Sequence, residues 1–376
     1  MNHNYKYILL LLVLVGNSLI AAVLPEDSAD ALYHSYDGGG VEVNGPSILV
    51  RKKVLDDFSV SANYYVDMVS SASIDVVTTA SEYTEERTQY SVGVDYLNQD
   101  TTLSFSFTNS SESDYESDTT SFAISQDFFS NLTTLSIGYT NGSDIVKKNG
   151  QDDFLEEVER QNYRLDLTQI ITKSFFMSLA VEGITDEGFL NNPYRSVRYL
   201  DPTAGLGYSY QLEVYPETKT STAVALMGRY FLPYRAALNL EYRQYTDTWG
   251  IDGSSFELGY THPLNDAIIL EASYRIYDQN EADFYSDLFP YQDAQNFLAR
   301  DKELSAFSSS SIGIGGSYEF NFEGAVIDKA TLNLFYNFFH FDYENFRDLT
   351  VQSTPGTEPL YELDAHVIRA FVSIWF

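Results

Sequence analysis

The carboxy-terminal stretch HVIRAFVSIWF, residues 366–376, carries the strongest indication of the fold. Its apolar side chains stand at every second position, at Ile368, Ala370, Val372, Ile374 and Phe376. Between them, Arg369 and Ser373 are polar. A strict period of two is typical of a β-strand with one apolar face. The surroundings of that face therefore decide which class of β-protein the chain forms.

The amino-terminal residues 1–22, MNHNYKYILLLLVLVGNSLIAA, have the features of a secretory signal peptide. Lys6 stands in a polar region, an apolar run covers residues 8–15, and small residues follow at Ala21 and Ala22. Gly16 ends the apolar run well before the ~20 residues that a membrane-spanning helix needs. We expect secretion through the inner membrane and cleavage after Ala22.

The composition excludes several classes of protein. The chain has no cysteine, which excludes disulfides and a lipid-anchored cysteine. Its 22 Lys and Arg against 54 Asp and Glu give a net charge of −32, which leaves no basic surface for a nucleic acid. The 30 Tyr and 25 Phe suit the aromatic girdles of a barrel in the Gram-negative cell outer membrane, in contact with lipid and lipopolysaccharide.

Segments of period two recur along the chain from residue 60 onward, and short turns alternate with long polar links between them. The longest links cover residues 184–219, 278–306 and 343–364. We therefore predict an all-β protein, a transmembrane antiparallel up-and-down β-barrel of about 14 strands, with 12 or 16 as alternatives. The predicted organisation is a signal peptide at 1–22, an amino-terminal segment at 23–57 and the barrel at 58–376.

The second face of each predicted strand is polar, and in a barrel it lines the lumen. The charged residues of this face are Asp67, Asp95, Arg164, Asp166, Glu182, Arg229, Glu241, Arg243, Glu257, Glu271, Arg275, Glu319 and Arg369. A soluble sandwich would expose these charges to water and bury the apolar set instead. The signal peptide, the abundant aromatic residues and the final Phe favour the barrel.

The amino-terminal segment contains a motif with three consecutive glycines, formed by Tyr33, His34, Tyr36, Asp37, Gly38, Gly39 and Gly40. Such a glycine run indicates a tight, irregular conformation rather than a strand. Two interpretations stay open. The segment either folds into the lumen as a plug, since fourteen strands enclose more space than side chains fill, or it forms a periplasmic tail.

The apolar face of residues 368–376 is expected to contact lipid. With its terminal Phe376, the stretch is similar to the carboxy-terminal signal that the barrel-assembly machinery recognises, so Ile368, Ala370, Val372, Ile374 and Phe376 form a predicted assembly signal.

Sites for chemistry are few. The acidic loops SESDYESD and DDFLEEVE lack the ordered spacing of a calcium loop, and Asp278, Asn280 and Asp283, which stand close together, are better candidates for metal ligands. No nucleophile motif or phosphate-binding loop accompanies the few histidines. We predict no enzyme activity and no cofactor.

Several segments resemble a family of bacterial outer-membrane β-barrels catalogued as domain of unknown function 3570. They include LPEDSADALYHSYDGGGVEVNGPSILVRKK, LNNPYRSVRY, DTWGIDGSS and NFLARDKELS. The resemblance implies a barrel and brings no activity with it. The resemblance also implies partners, because members of this family look as though they are often encoded beside a small lipoprotein, a thioredoxin-like protein and a flavin transferase.

Two functions follow as hypotheses. The first is a porin-like or gated channel that transports a small solute of unknown identity. The second is a non-conducting scaffold that positions periplasmic or surface partners, including redox proteins.

Overall fold

The computed structural model describes residues 23–71, 83–322 and 326–376. The expected signal peptide and most of the loop expected at 70–87 therefore lie outside the described residues. Within those ranges, sixteen antiparallel strands close into one barrel. This confirms the predicted fold class, with the strand number at one of the two alternatives rather than at 14. None of the helical structure in these ranges is long and apolar enough to cross a membrane.

The strands and one short 3-10 turn follow in chain order: β1 (Ser28–Gly38), β2 (Val41–Leu55), β3 (Phe58–Ser71), β4 (Tyr83–Asn98), β5 (Thr101–Ser111), β6 (Tyr115–Phe128), β7 (Thr133–Lys147), β8 (Leu155–Thr172), β9 (Phe175–Gly188), β10 (Ser196–Leu200), β11 (Tyr208–Leu212), β12 (Thr218–Phe231), β13 (Ala237–Asp247), β14 (Asp252–Pro263), β15 (Ile268–Gln279), the 3-10 turn Lys302–Leu304, β16 (Phe307–Asn321), β17 (Lys329–Arg347) and β18 (Leu360–Trp375). Consecutive strands pair throughout the wall, except that β9 pairs directly with β12 because β10 and β11 form a separate hairpin. Pairing of β18 with β1 closes the barrel.

The amino-terminal segment corrects the sequence prediction, since residues 28–55 are neither a plug nor a tail. They form β1 and β2 of the wall, and β1 pairs with β18 from Ser28 to Gly38. The glycine run makes the turn between them: Gly39 and Gly40 have φ of +58° and +76°. A two-residue hairpin turn with both residues left-handed matches the twist of the flanking strands. The two added strands raise the number from fourteen to sixteen.

The outer face of the wall carries an apolar band. Its large side chains are exposed, for example Tyr90 at 56% and Val92 at 55%. Tyrosines mark one border of the band, and some of them donate a hydrogen bond to a polar side chain two positions away on the same face. Tyr163 donates to Gln161 Oε1 at 2.8 Å, and Tyr242 donates to Gln244 Oε1 at 2.8 Å. Beyond this border the strands continue as a polar collar.

The two ends of the barrel differ. One end, called here the turn end, carries both described chain termini and only short links among the described residues, such as 99–100 between β4 and β5. The opposite end, called the loop end, carries the long links. Three of these, residues 189–217, 280–306 and 348–359, pack together and are called the cap.

The cap has its own hydrophobic cores. In the larger core, Trp249 and Ile251 of the link between β13 and β14 pack against the cap residues Tyr215, Ala282, Phe284, Ala299 and Leu304. A smaller core joins Val197 of β10 to Phe289 and Leu298. Backbone hydrogen bonds between Val214 and Leu298, 3.0 Å and 2.7 Å long, fasten the first two loops to each other. Buried apolar contacts of this kind make the cap an ordered structure rather than a set of separate loops.

The cap also spans the mouth of the barrel. On one side, Tyr194 donates a hydrogen bond to Asp114 Oδ2 at 2.6 Å, in the turn between β5 and β6. On the other side, Arg198 binds Glu358 in the link between β17 and β18. Those two links lie almost opposite each other in the strand order of the closed barrel. The first cap loop therefore crosses the opening.

Candidate functional site

The strand register shows where the predicted lumen charges lie. Directly paired residues of an antiparallel sheet point to the same side. Asp67 pairs with Arg87, Arg164 with Glu182, and Glu257 with Arg275. Followed around the closed barrel, the register places all thirteen predicted residues on one face, opposite the exposed apolar band. This polar face is called the inner face.

Part of the inner face is a chain of ion pairs. Arg164 Nε lies 2.7 Å from Asp166 Oδ2, and Arg164 Nη1 lies 3.4 Å from Glu182 Oε1. Glu182 is shared, because Arg243 Nη2 on β13 lies 3.0 Å from its other carboxylate oxygen. The last contact crosses β12, which separates β9 from β13. Four of the predicted residues thus form one connected cluster.

A second group of predicted residues lines a cavity of about 300 Å³ on the inner face: Arg229, Glu241, Glu257, Glu271 and Arg369. Glycines of β16 make room here for larger side chains of β17. A Cβ at Gly315 would lie 2.1 Å from the ring of Phe335, and one at Gly313 would lie 2.3 Å from Asn337 Oδ1. Within the described chain, the three glutamates make no salt bridge. This stretch of wall is therefore negative and accessible.

The remaining predicted residues stay apart from these two groups. Asp95 accepts a hydrogen bond from Ser104 at 2.6 Å, and Glu319 accepts one from Asn321 at 3.2 Å. Arg275 stacks near the ring of Tyr277. These contacts are local to neighbouring strands or to one strand.

The amino-terminal motif contributes His34 to the inner face. His34 Nε2 lies 2.7 Å from Asp67 Oδ1 and 3.1 Å from the Tyr65 hydroxyl, and its ring stacks on Tyr65. The histidine reaches across β2 at Gly45, where a side chain would collide with the backbone oxygen of Val66. The small residue thus lets β1 and β3 interact over the strand between them.

The other residues of the amino-terminal motif lie in β1 and in the turn that follows it. Tyr33 is half exposed on the outer face, and its hydroxyl donates to Asn44 Oδ1 at 3.4 Å. Tyr36 lies on the same face as His34, and Asp37 pairs with His366 and Glu42. Gly38 allows close contact with β18, because a Cβ there would lie 2.3 Å from that of Ala365.

A buried charge network, which the sequence did not suggest, joins the three cap loops. The side chain of Arg198 is fully buried, and it donates to Glu358 Oε2 at 3.1 Å and to the backbone oxygen of Asp287 at 2.9 Å. Arg300 Nη2 lies 3.0 Å from Asp287 Oδ1 and donates to the backbone oxygen of Arg347 at 2.9 Å. Removing one member of a buried network leaves its partners uncompensated, so each residue helps to hold the loops together.

Glu213 is a second buried cap residue. Its Oε1 accepts a hydrogen bond from the backbone N–H of Arg300 at 2.7 Å, and its Oε2 accepts one from the Tyr215 hydroxyl at 2.7 Å. The pKa of Glu213 is raised to about 7, mainly by burial and in addition by the nearby charge of Asp301. Burial also raises the pKa of the Tyr215 phenol well above its ordinary range. Glu213 therefore changes charge near neutral pH.

The weak metal candidates have other roles. Asn280 uses its side-chain amide to donate to the backbone oxygen of Gly250 at 2.8 Å and accepts from the backbone N–H of Asp252 at 2.6 Å. The Asp283 carboxylate packs against Gly250, which has a φ of +90°. Among the described residues, no group of three or more His, Cys, Asp or Glu side chains is arranged to hold a metal ion.

The predicted assembly signal lies on the last strand. Ile368, Val372 and Phe376 are exposed on the outer face at 45%, 38% and 38%. Phe376 follows β18 directly, and its backbone N–H donates to Asp27 at 3.3 Å while Lys52 lies over its ring. Recognition of this strand by an assembly machinery stays a prediction.

The fold is similar to that of a bacterial polysaccharide outer membrane secretin, with 8% identity, a TM-score of 0.49 and coverage of 94% of this chain and 100% of that chain. It is also similar to OmpT of Vibrio cholerae, with 11% identity, a TM-score of 0.45 and coverage of 93% and 99%. A third similar structure is the siderophore receptor PirA from Pseudomonas aeruginosa, with 12% identity, a TM-score of 0.42 and coverage of 94% and 63%.

No curated protein sequence matches the chain. A family model matches residues 76–164 and 156–334, which together make up more than half of the chain. The chain therefore belongs to the family described as protein of unknown function DUF3570, whose resemblance the sequence motifs had indicated.

Proposed function

We propose that the protein is a channel of the outer membrane for small polar solutes, with the loop end outside the cell and the turn end in the periplasm. The observation that carries this proposal is the position of residues 28–55 in the wall. The segment that was a candidate plug therefore does not fill the lumen. A sixteen-stranded barrel encloses an aqueous channel when no other segment occupies it.

The inner face supports a preference for cations. The predicted inner set has eight carboxylates and five arginines. Arg164 and Arg243 are already engaged with Asp166 and Glu182, whereas Glu241 and Glu271 have no ion pair among the described residues. A wall with excess negative charge raises the local concentration of cations. Because Arg164 and Arg243 offset part of the negative charge, we expect the preference for cations to be moderate.

In this proposal the cap narrows the entrance to the lumen at the loop end. It crosses the mouth, and its hydrophobic cores and buried arginines hold it in place. Solutes must therefore pass between the cap and the collar, or the cap must move. Assembly through the carboxy-terminal strand, contact with lipopolysaccharide and the absence of enzyme activity remain part of the proposal, as does a periplasmic lipoprotein or thioredoxin-like partner.

Planar bilayers containing the purified, folded protein test this function. We expect steady conductance and a reversal potential in a salt gradient that shows cation preference. Replacement of residues 196–212 by a short Gly-Ser linker should raise the conductance, because the hairpin of β10 and β11 crosses the mouth. A barrel that is folded but silent in both forms would contradict the channel and favour the scaffold. Anion preference would contradict the charge argument.

A further inference from the structure

A polar cavity of about 450 Å³ lies on the inner face next to the cap, in the collar of the barrel. Tyr115, Asp144, Arg160, Asp186, Lys219 and Tyr245 line it, together with serine and threonine hydroxyls from β6, β7 and β12. The residues come from six neighbouring strands, β6 to β9, β12 and β13. Trp249 of the cap core borders it, because the Lys219 ammonium lies 4.8 Å from the centre of that ring.

One atom of this cavity has no partner. Asp144 is 2% exposed, and its Oδ2 accepts hydrogen bonds from the Tyr115 hydroxyl and from Arg160 Nε, the latter at 2.7 Å. Its Oδ1 is buried and accepts no hydrogen bond within the described chain. A buried carboxylate oxygen without a donor is costly, so its presence points to a ligand that brings one.

The charges of the cavity nearly balance. Arg160 is paired with Asp144, and Lys219 Nζ lies 3.3 Å from Asp247 Oδ2. Asp186 faces Arg160 in the register of β8 and β9, and within the described residues it makes no ion pair. Arg160 and Lys219 would repel a cationic ligand, and the carboxylates of Asp144 and Asp186 would repel an anionic one. Like charges brought together out of water are unfavourable, so a neutral ligand fits best.

The hydrogen-bonding groups and rings narrow the class of ligand. Asp144 and Asp186 offer acceptors, while the hydroxyls of the wall offer both donors and acceptors. The rings of Tyr115 and Tyr245 are also part of the lining, and aromatic rings contribute apolar contact area. The volume lies within the range of small-molecule sites.

We propose that this cavity is a binding site for a neutral polyhydroxylated solute of the size of a mono- or disaccharide. The solute donates one hydroxyl hydrogen to Asp186 and, after a side-chain movement that uncovers the buried atom, a second one to Asp144 Oδ1. Its apolar ring face stacks against a tyrosine. The proposal names the substrate class of the channel and in that sense rests on the proposed function, although binding itself does not require conduction.

Equilibrium dialysis of the folded protein in detergent micelles with labelled maltose tests the site directly. We expect saturable binding of one sugar per barrel. Asp186→Asn should weaken binding at least tenfold, because it replaces a charged acceptor by a neutral one and hydrogen bonds to charged groups are the stronger kind. Asp95→Asn is the matched control, since Asp95 lies on the inner face of β4 away from the cavity, and it should bind as the native chain does.

Folding of each variant is checked by its heat-dependent mobility on gels before dialysis. Asp144→Asn is a second test, but it disturbs the pair with Arg160, so Asp186→Asn is decisive. The inference is overturned if folded protein binds no maltose, if Asp186→Asn and the control Asp95→Asn bind equally well, or if arginine or gluconate binds more tightly than the sugar. Because dialysis needs no current, a silent barrel that binds maltose would refute the channel and leave the site intact.

Discussion

At the scale of single residues, one glycine shows how little space the wall leaves. Gly45 lies where β2 and β3 approach so closely that the pairing between them is interrupted at Gly45 and Pro46. A Cβ at position 45 would stand 1.8 Å from the backbone oxygen of Val66. His34 uses the same gap to reach Asp67 across β2. The glycine therefore belongs to the packing of three strands rather than to a turn.

Gly45→Ala should lower the free energy of unfolding by about 1 to 3 kcal/mol, the usual cost of forcing extra atoms into a packed site. Gly183→Ala is the matched control, because no atom lies within 4 Å of a Cβ at that position. It should be neutral or stabilise by roughly 0.5 kcal/mol, since glycine is unfavourable inside a strand. Urea unfolding from lipid vesicles measures both changes. Equal effects would contradict the close approach of β2 and β3.

The two faces of a strand should respond differently to charge. Leu179 is 40% exposed on the outer face of β9, within a run of outward apolar residues. Leu179→Arg should cost about 2 to 4 kcal/mol if the residue lies near the middle of the bilayer. The adjacent Ala180→Arg places its charge on the inner face opposite Asp166 and should cost much less. Similar losses at both positions in the same unfolding assay would show that the assigned faces are wrong.

At the scale of elements, the cap loops depend on a carboxyl that titrates near neutral pH. Glu213 joins the first cap loop to the second through the backbone N–H of Arg300. Its pKa is raised from an ordinary value of 4.5 to about 7, mainly by burial. Between these two values the folded cap holds a proton that the unfolded cap has lost. The stability of the cap therefore falls as the pH rises through this window.

The expected loss between pH 4.5 and 7 is on the order of 3 kcal/mol for this group. Trp249 reports on the cap, because its ring packs 5.2 Å from that of Phe284 in the cap core. With Trp375→Phe as the background, the urea midpoint of its fluorescence should be higher at pH 5 than at pH 8. Glu213→Gln should flatten this dependence, and a slope that persists in the variant would show that Glu213 is not its cause.

At the scale of the whole molecule, closure requires every strand. β18 pairs with β17 on one edge and with β1 on the other, so β1 and β2 complete the ring. An open barrel would expose the hydrogen-bonding edges of β18 and β3 to lipid, where unsatisfied backbone groups are very unfavourable. The amino-terminal segment is therefore part of the condition for folding.

Deletion of residues 23–55 should abolish the folded barrel rather than open a channel. Deletion of residues 23–26, which precede β1, is the matched control and should leave the barrel intact. Heat-dependent gel mobility of outer-membrane fractions separates folded from unfolded protein. A shortened chain that still folds and conducts would show that fourteen strands close without β1 and β2.

The sequence by itself determined the barrel and its two faces, because a period of two is a local property of the strand and needs no distant partner. Side chains as far apart as Asp67 and Arg369 were assigned to one polar face from their neighbours alone, and the register of the structure groups them in the same way. The strand number depended on tertiary contacts. The glycines at 38–40 look irregular locally, but they form the turn of the β1–β2 hairpin, and pairing of β1 with β18 makes that hairpin part of the wall.

The cap and the cavity beside it were decided by the tertiary structure. Arg198 and Glu358 stand 160 positions apart, and nothing in the residues around either one indicates the other. Asp144, Asp186 and Lys219 come from separate strands, so the cavity exists only after the wall has curved. Contacts between distant segments depend on closure of the whole barrel, whereas the alternation within each strand depends only on its own backbone.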